Sequence, residues 1–105
     1  MRPERRAKNE VFFRESNELL ERAAAARGRD DVDFVCECAR LGCVERLPMT
    51  VQEYEHVRRS GGERFVVVPG HEDLSLEVVV ETHDGYRVVE KIGVAAVIAR
   101  EADPR

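Results

Sequence analysis

Residues 34–43 read FVCECARLGC and hold all three cysteines of this 105-residue chain. No other feature restricts the fold as strongly. The order C-x-C-x4-C places Cys36 and Cys38 two apart, so on extended backbone their side chains share one side. The intervening Ala39–Gly42 turn returns Cys43 beside them, and Gly42 can take the backbone angles a tight return needs. Local geometry therefore gathers three soft ligands. A tetrahedral zinc site takes four thiolate or imidazole donors, so the fourth has to come from a distance. His71 is the candidate, because it follows Pro69-Gly70 at the end of an apolar run, where a turn can aim a side chain back. His56 falls on the outer face of a predicted helix and His83 directly precedes a hairpin turn, so both fit less well. The predicted site is Cys36, Cys38, Cys43 and His71 around a structural Zn2+.

Free cysteines are often simply buried and inert. Three of them in eight residues, an odd number, favour a metal over inert packing or a disulfide framework. The leading segment MRPERRAKNE is charged, and no apolar run exceeds six residues. The expectation is a cytoplasmic protein with no membrane contact. The alternative reading uses the same thiols differently, in a small metal-dependent or thiol-based enzyme or a redox sensor. Acidic neighbours Glu37 and Glu45 would raise thiol pKa values and weigh against a reactive thiolate. A full Cys3His shell leaves no position for water and reads as structural. Were His71 not a ligand, the site would be open, with Glu72 and Asp73 as candidate bases. Elsewhere, His83-Asp84-Gly85 is explained by turn chemistry, and Gly61-Gly62 is too short for a phosphate loop.

The remaining pattern reads as an α+β fold in a single domain, residues 1–105. A long N-terminal helix takes residues 1–28, and a metal-stabilised body takes 33–105. Pro3 suits a first helical turn, and Gly28 suits the end of that helix. Phe12, Ser16, Leu19, Leu20 and Ala23 recur at helical spacing and are expected to face the core. Glu10, Arg14, Glu18 and Arg22, four apart, are expected to pair on the outer face. Val11 and Phe13 lie off the main stripe and suggest a second contact face, hence a possible homodimer through this helix. DFVCEC and CVERL suggest a metal-binding β-hairpin. Thr50 and Glu53 have capping-box spacing and start a short helix to about Arg59, with Val51, Tyr54 and Val57 inward. RFVVV and the two strands flanking Asp84-Gly85 build a small, mostly antiparallel sheet. VAAVIAREA reads as a closing helix or a last strand, with its alanines favouring helix.

Charge narrows the partners. Residues 1–30 carry eight Lys/Arg against six Asp/Glu, and residues 31–105 carry nine against fifteen. An acidic body disfavours nucleic acid, which needs clustered positive charge, and the basic first helix keeps that option only weakly open. A protein partner is the better expectation, in a non-enzymatic interaction or regulatory module.

Two resemblances accompany these residues. The C-x-C-x4-C spacing resembles the post-SET segment of lysine methyltransferases, whose three cysteines share zinc with a remote fourth. The likeness covers residues 36–43 alone. His71 would replace the remote cysteine, and no methyltransferase motif accompanies it, so no activity is implied. Over residues 10–105, the combination FVCECARLGCVERLPMTVQEYEHVR, RFVVVPGHED and HDGYRVVEK is similar to a group of short actinobacterial-type proteins without assigned activity. That similarity implies a bacterial cytosol and a Cys3His metal set.

Overall fold

The computed structural model describes residues 3–105. Among the described residues the fold is α+β, with three helices and two small antiparallel sheets. Helix α1 spans Pro3–Ala26, and β1 (Asp31–Val35) pairs with β2 (Arg46–Thr50). Helix α2 (Val51–Arg59) leads to β3 (Arg64–Val67), then β4 (Glu77–His83), β5 (Tyr86–Lys91) and helix α3 (Gly93–Glu101). The second sheet has the order β3-β5-β4, so β5 is central and β3 and β4 are its edges.

Local chemistry explains most element ends. Helix α1 stops where Gly28 takes a left-handed φ of 67°. There Arg29 N–H returns to the Ala24 carbonyl and Gly28 N–H to that of Ala25, the paired bonds of a glycine-terminated helix. At the start of α2, Thr50 Oγ1 accepts from Glu53 N–H at 3.0 Å and Glu53 Oε1 accepts from Thr50 N–H at 2.8 Å. That is the expected capping box. Asp84-Gly85 makes the two-residue turn between β4 and β5, with His83 opposite Tyr86. The alanine-rich end is the helix α3.

Alternation along the second sheet divides the core. Val66, Val88 and Tyr86 join Phe34, Leu47, Met49, Tyr54 and Val57 on the side of the first sheet and α2. There Phe34 stacks on Tyr54, centroids 4.4 Å apart. Phe65, Val67 and Val89 face the other way, with Val11, Ala99, Cys36 and Cys38. The cysteine segment thus lies in the layer shared with α1 and α3.

Two expectations need correction. The first concerns α1, which is turned about its axis relative to the predicted stripe. Phe12 and Leu19 are 63% and 62% exposed, Ala23 is exposed, and only Leu20 of the large stripe residues packs partly on the core. The buried side carries Ala7, Glu10, Val11, Arg14, Asn17, Glu18, Glu21 and Ala24. Of the residues expected to pair along the surface, Arg22 is exposed, and Glu10, Arg14 and Glu18 bind distant partners instead. Glu10 accepts from Lys91, which also binds Glu77. Glu18 accepts from Arg58 at 2.5 Å. The Arg14 guanidinium lies 4.5 Å from the Phe65 ring centre and donates to the Gly62 and Ala99 carbonyls. Both faces of α1 repeat with helical period, so periodicity reports a helix without saying which side is inside. Burying charge is tolerable only with partners in place, and those partners come from residues some 40 to 85 positions away.

The second correction concerns the hairpin, whose strands are shorter than expected. Ladder pairing ends at Val35 opposite Arg46, so the cysteines occupy the connecting loop. Beyond that point the backbone changes partner: Cys36 N–H still reaches the Glu45 carbonyl, but Glu37 N–H donates to Val66 in β3. The chain between the cysteines is held by both sheets at once.

Candidate metal centre

The site is assembled by that change of partner. Cys36 and Cys38 leave β1 on one side, both buried, while Glu37 points oppositely. Cys43 N–H donates to the Arg40 carbonyl, closing the turn, and Gly42 takes the φ of 78° that this turn needs. From the other direction β3 delivers His71 through a second turn, in which His71 N–H donates to the Val68 carbonyl. Arg40 joins the two turns by donating to the Gly70 carbonyl at 2.7 Å.

The four side chains converge. His71 Nδ1 lies 3.8 Å from Cys36 Sγ, 3.6 Å from Cys38 Sγ and 3.5 Å from Cys43 Sγ. All four donor atoms fall within 4.8 Å of one another. A tetrahedral ion held about 2.3 Å from sulfur and about 2.0 Å from nitrogen has sulfur–nitrogen edges of about 3.5 Å. The observed edges sit at or just above that value. Cys36, Cys38, Cys43 and His71 are therefore close enough to bind one metal ion.

Surrounding bonds prepare the donors. His71 Nε2 meets Glu45 Oε2 at 2.7 Å, so a carboxylate fixes the outer side of the ring while Nδ1 faces the sulfurs, the outer-ring partner that metal-ligating histidines usually have. Cys36 Sγ accepts from Val68 N–H at 3.2 Å. The Cys36 thiol, followed by the Arg40 backbone N–H and His71, pulls the Cys38 thiol down to about 4 despite its burial. Cys36 is pushed up, first by that same bond to Cys38 and then by burial, and Cys43 is pushed up by burial. Cys36 and Cys38 are buried and Cys43 is half-buried, so the depressed Cys38 thiol lies among sulfurs with little access to solvent. A buried thiolate suits a ligand better than a nucleophile, which needs access.

The acidic neighbours act differently from the expectation. Glu37 does not face the sulfurs. Its carboxylate is fully buried and accepts from Asn17 Nδ2 at 2.8 Å, Tyr54 OH at 2.7 Å and Val66 N–H at 2.8 Å. Burial pushes its pKa up, and the three donors oppose this. Sequence reading missed this anchor; the one available signal was the strand alternation that sends Glu37 away from two cysteines and into the core. Glu45 meets the imidazole instead of the thiols.

The other candidates are accounted for. Glu72 accepts from Gly70 N–H at 2.8 Å and from Arg87, and Asp73 from Arg6 and Ser75, each at 2.5 Å. Both carboxylates brace turns. His56 and His83 flank Glu81 on the surface, at 3.6 and 2.7 Å, and belong to no metal-capable group among the described residues. No described helix is long and apolar enough to cross a membrane.

Comparison with protein families, curated proteins and solved structures gave no match. The donor set and its geometry carry the functional reading.

Proposed function

We propose that this is a small non-enzymatic interaction or regulatory module, built around a structural Zn2+ held by Cys36, Cys38, Cys43 and His71. One observation carries the reading: an imidazole nitrogen stands 3.5–3.8 Å from three sulfurs that come from a separate turn. Three thiolates and one imidazole form a soft, four-donor set that suits zinc. With all four positions supplied by the chain, none is left for a substrate or an activated water, which favours a structural over a catalytic ion. The ion would staple the 36–45 loop to the turn after β3. A reducing cytoplasm would keep the thiols available.

The test is metal-to-protein stoichiometry in protein purified without chelator. One zinc per chain is expected, and cobalt in its place should give the intense visible bands of tetrahedral thiolate coordination. His71→Ala should lower zinc retention, whereas His56→Ala and His83→Ala should not. Absence of bound zinc, or equal retention in all three variants, removes the proposed site.

A further inference from the structure

We infer that a second copy of this chain packs on the outer face of α1, antiparallel, about a two-fold axis at Leu19. With 3.6 residues per turn, Phe12, Ser16, Leu19, Ala23 and Ala26 lie within about 80° of arc. They lie on the side of the helix opposite the buried Glu10, Arg14, Asn17 and Glu21. Phe12 and Leu19 are mostly exposed. The apolar surface continues off the helix, because Phe12 and Phe13 line a depression with Leu41 of the cysteine loop. Phe12, Leu19 and Ala26 repeat every seven residues, with small residues Ser16 and Ala23 between them. That repeat forms the seam of a two-helix pair.

Charge selects the occupant and its direction. Glu15 and Arg22 border the stripe along one edge, both exposed. Neither has a charged partner among the described residues. In an antiparallel pair the same edge of each helix adjoins, and positions equally far before and after Leu19 stand opposite each other. Phe12 then covers Ala26 of the second copy, large against small, and Leu19 meets Leu19. Glu15, four residues before the axis, comes beside Arg22, three after it, and symmetry makes this ion pair twice. A parallel pair would set the charged edge against Phe13 and Leu20 and leave both charges alone. The inference does not depend on the metal.

Light scattering and sedimentation of the full metal-loaded chain over a concentration series should give twice the monomer mass, dissociating on dilution. Leu19→Arg places two like charges on the axis. It should give monomer at every concentration where the wild type is dimeric, with helix content and metal content unchanged. Glu15→Arg and Arg22→Glu should each weaken association roughly 3- to 10-fold, and the two together should restore it. If Leu19→Arg loses helix signal, the paired charge exchange decides alone. A wild-type monomer throughout, a dimer that survives a folded Leu19→Arg, or a charge exchange without recovery overturns the inference.

Discussion

β3 and β4 are the two outer strands of one sheet, and their free edges are finished by different means. Along β3 the C-x-C segment takes the place of a further strand. Val66 N–H donates to the Glu37 carboxylate, Val68 N–H donates to Cys36 Sγ, and Glu37 N–H donates to the Val66 carbonyl. Side-chain oxygen and sulfur stand where a neighbouring strand would offer carbonyls. Along β4 the finish is local. Val78, Val79 and Val80 are partly exposed, register shifts between Val79 and Glu81, and Glu77 and Glu81 flank the valines. A bulge and nearby charge are common guards against edge-to-edge pairing. The difference teaches that an unpaired edge can be closed by chemistry serving another purpose. Cys36 is at once a candidate ligand and the acceptor for an edge amide, so the metal and the sheet are linked through one sulfur.

If that link holds, disturbing the metal should produce the largest and most localised effect. Structural zinc contributes on the order of 10 kcal/mol in modules with little core, and less where a core exists. Chelation or Cys38→Ser is expected to cost several kcal/mol in thermal unfolding. Amide exchange should accelerate first at Val66 and Val68, with Val88 and Val89 of β5 still protected. Unchanged protection along β3 after metal removal would break the comparison.

The next effect lies at the β4 end. Lys91 holds Glu77, the first residue of β4, together with Glu10 of α1. Lys91→Met leaves two carboxylates buried without their cation, and breaking such a cluster costs about 3–5 kcal/mol. Denaturant unfolding measures it. At the β3 edge, Glu37→Gln should cost about 1–3 kcal/mol. Both Glu37 oxygens accept, so a terminal amide must turn a donor against another donor.

Acidity sharpens the contrast further. Burial, opposed by Lys91, raises the Glu10 pKa from 4.5 to about 7. Between those values the folded state holds a proton that the unfolded state has released. Stability from this group is therefore lost as pH rises through about 7. Relative to Glu10→Gln, the wild type should lose about 1–3 kcal/mol between pH 5 and 8. A constant difference would show that Glu10 stays ionised. The smallest effect is expected on the open edge: Val80→Lys should change stability by no more than about 0.5 kcal/mol. A larger loss there would mean that β4 is covered after all.

Elements that depend on neighbours in the chain were legible without tertiary information. The capping box at Thr50 and Glu53, the Asp84-Gly85 turn and the Gly28 terminus each need only a few adjacent residues. The candidate site was legible for the same reason on its cysteine side, since a two-residue and a five-residue spacing place three sulfurs together. His71 was reached by asking which histidine follows a turn at a strand end. Glu37 was not legible, because Glu between two cysteines looks solvated until Asn17, Tyr54 and Val66 are known to surround it. Nor was the sheltered side of α1, where Glu10 and Arg14 look like surface residues until Lys91 and Phe65 arrive.

Short-range order along the chain determined that these elements form and that three thiols meet, because backbone geometry over a few residues leaves little choice. Tertiary structure alone decided which face of α1 is inside, that the His71 ring comes within reach of the three sulfurs, and what closes the β3 edge. Those outcomes rest on charges and donors that meet across tens of residues, and the free energy of such a meeting exists only once the chain has folded.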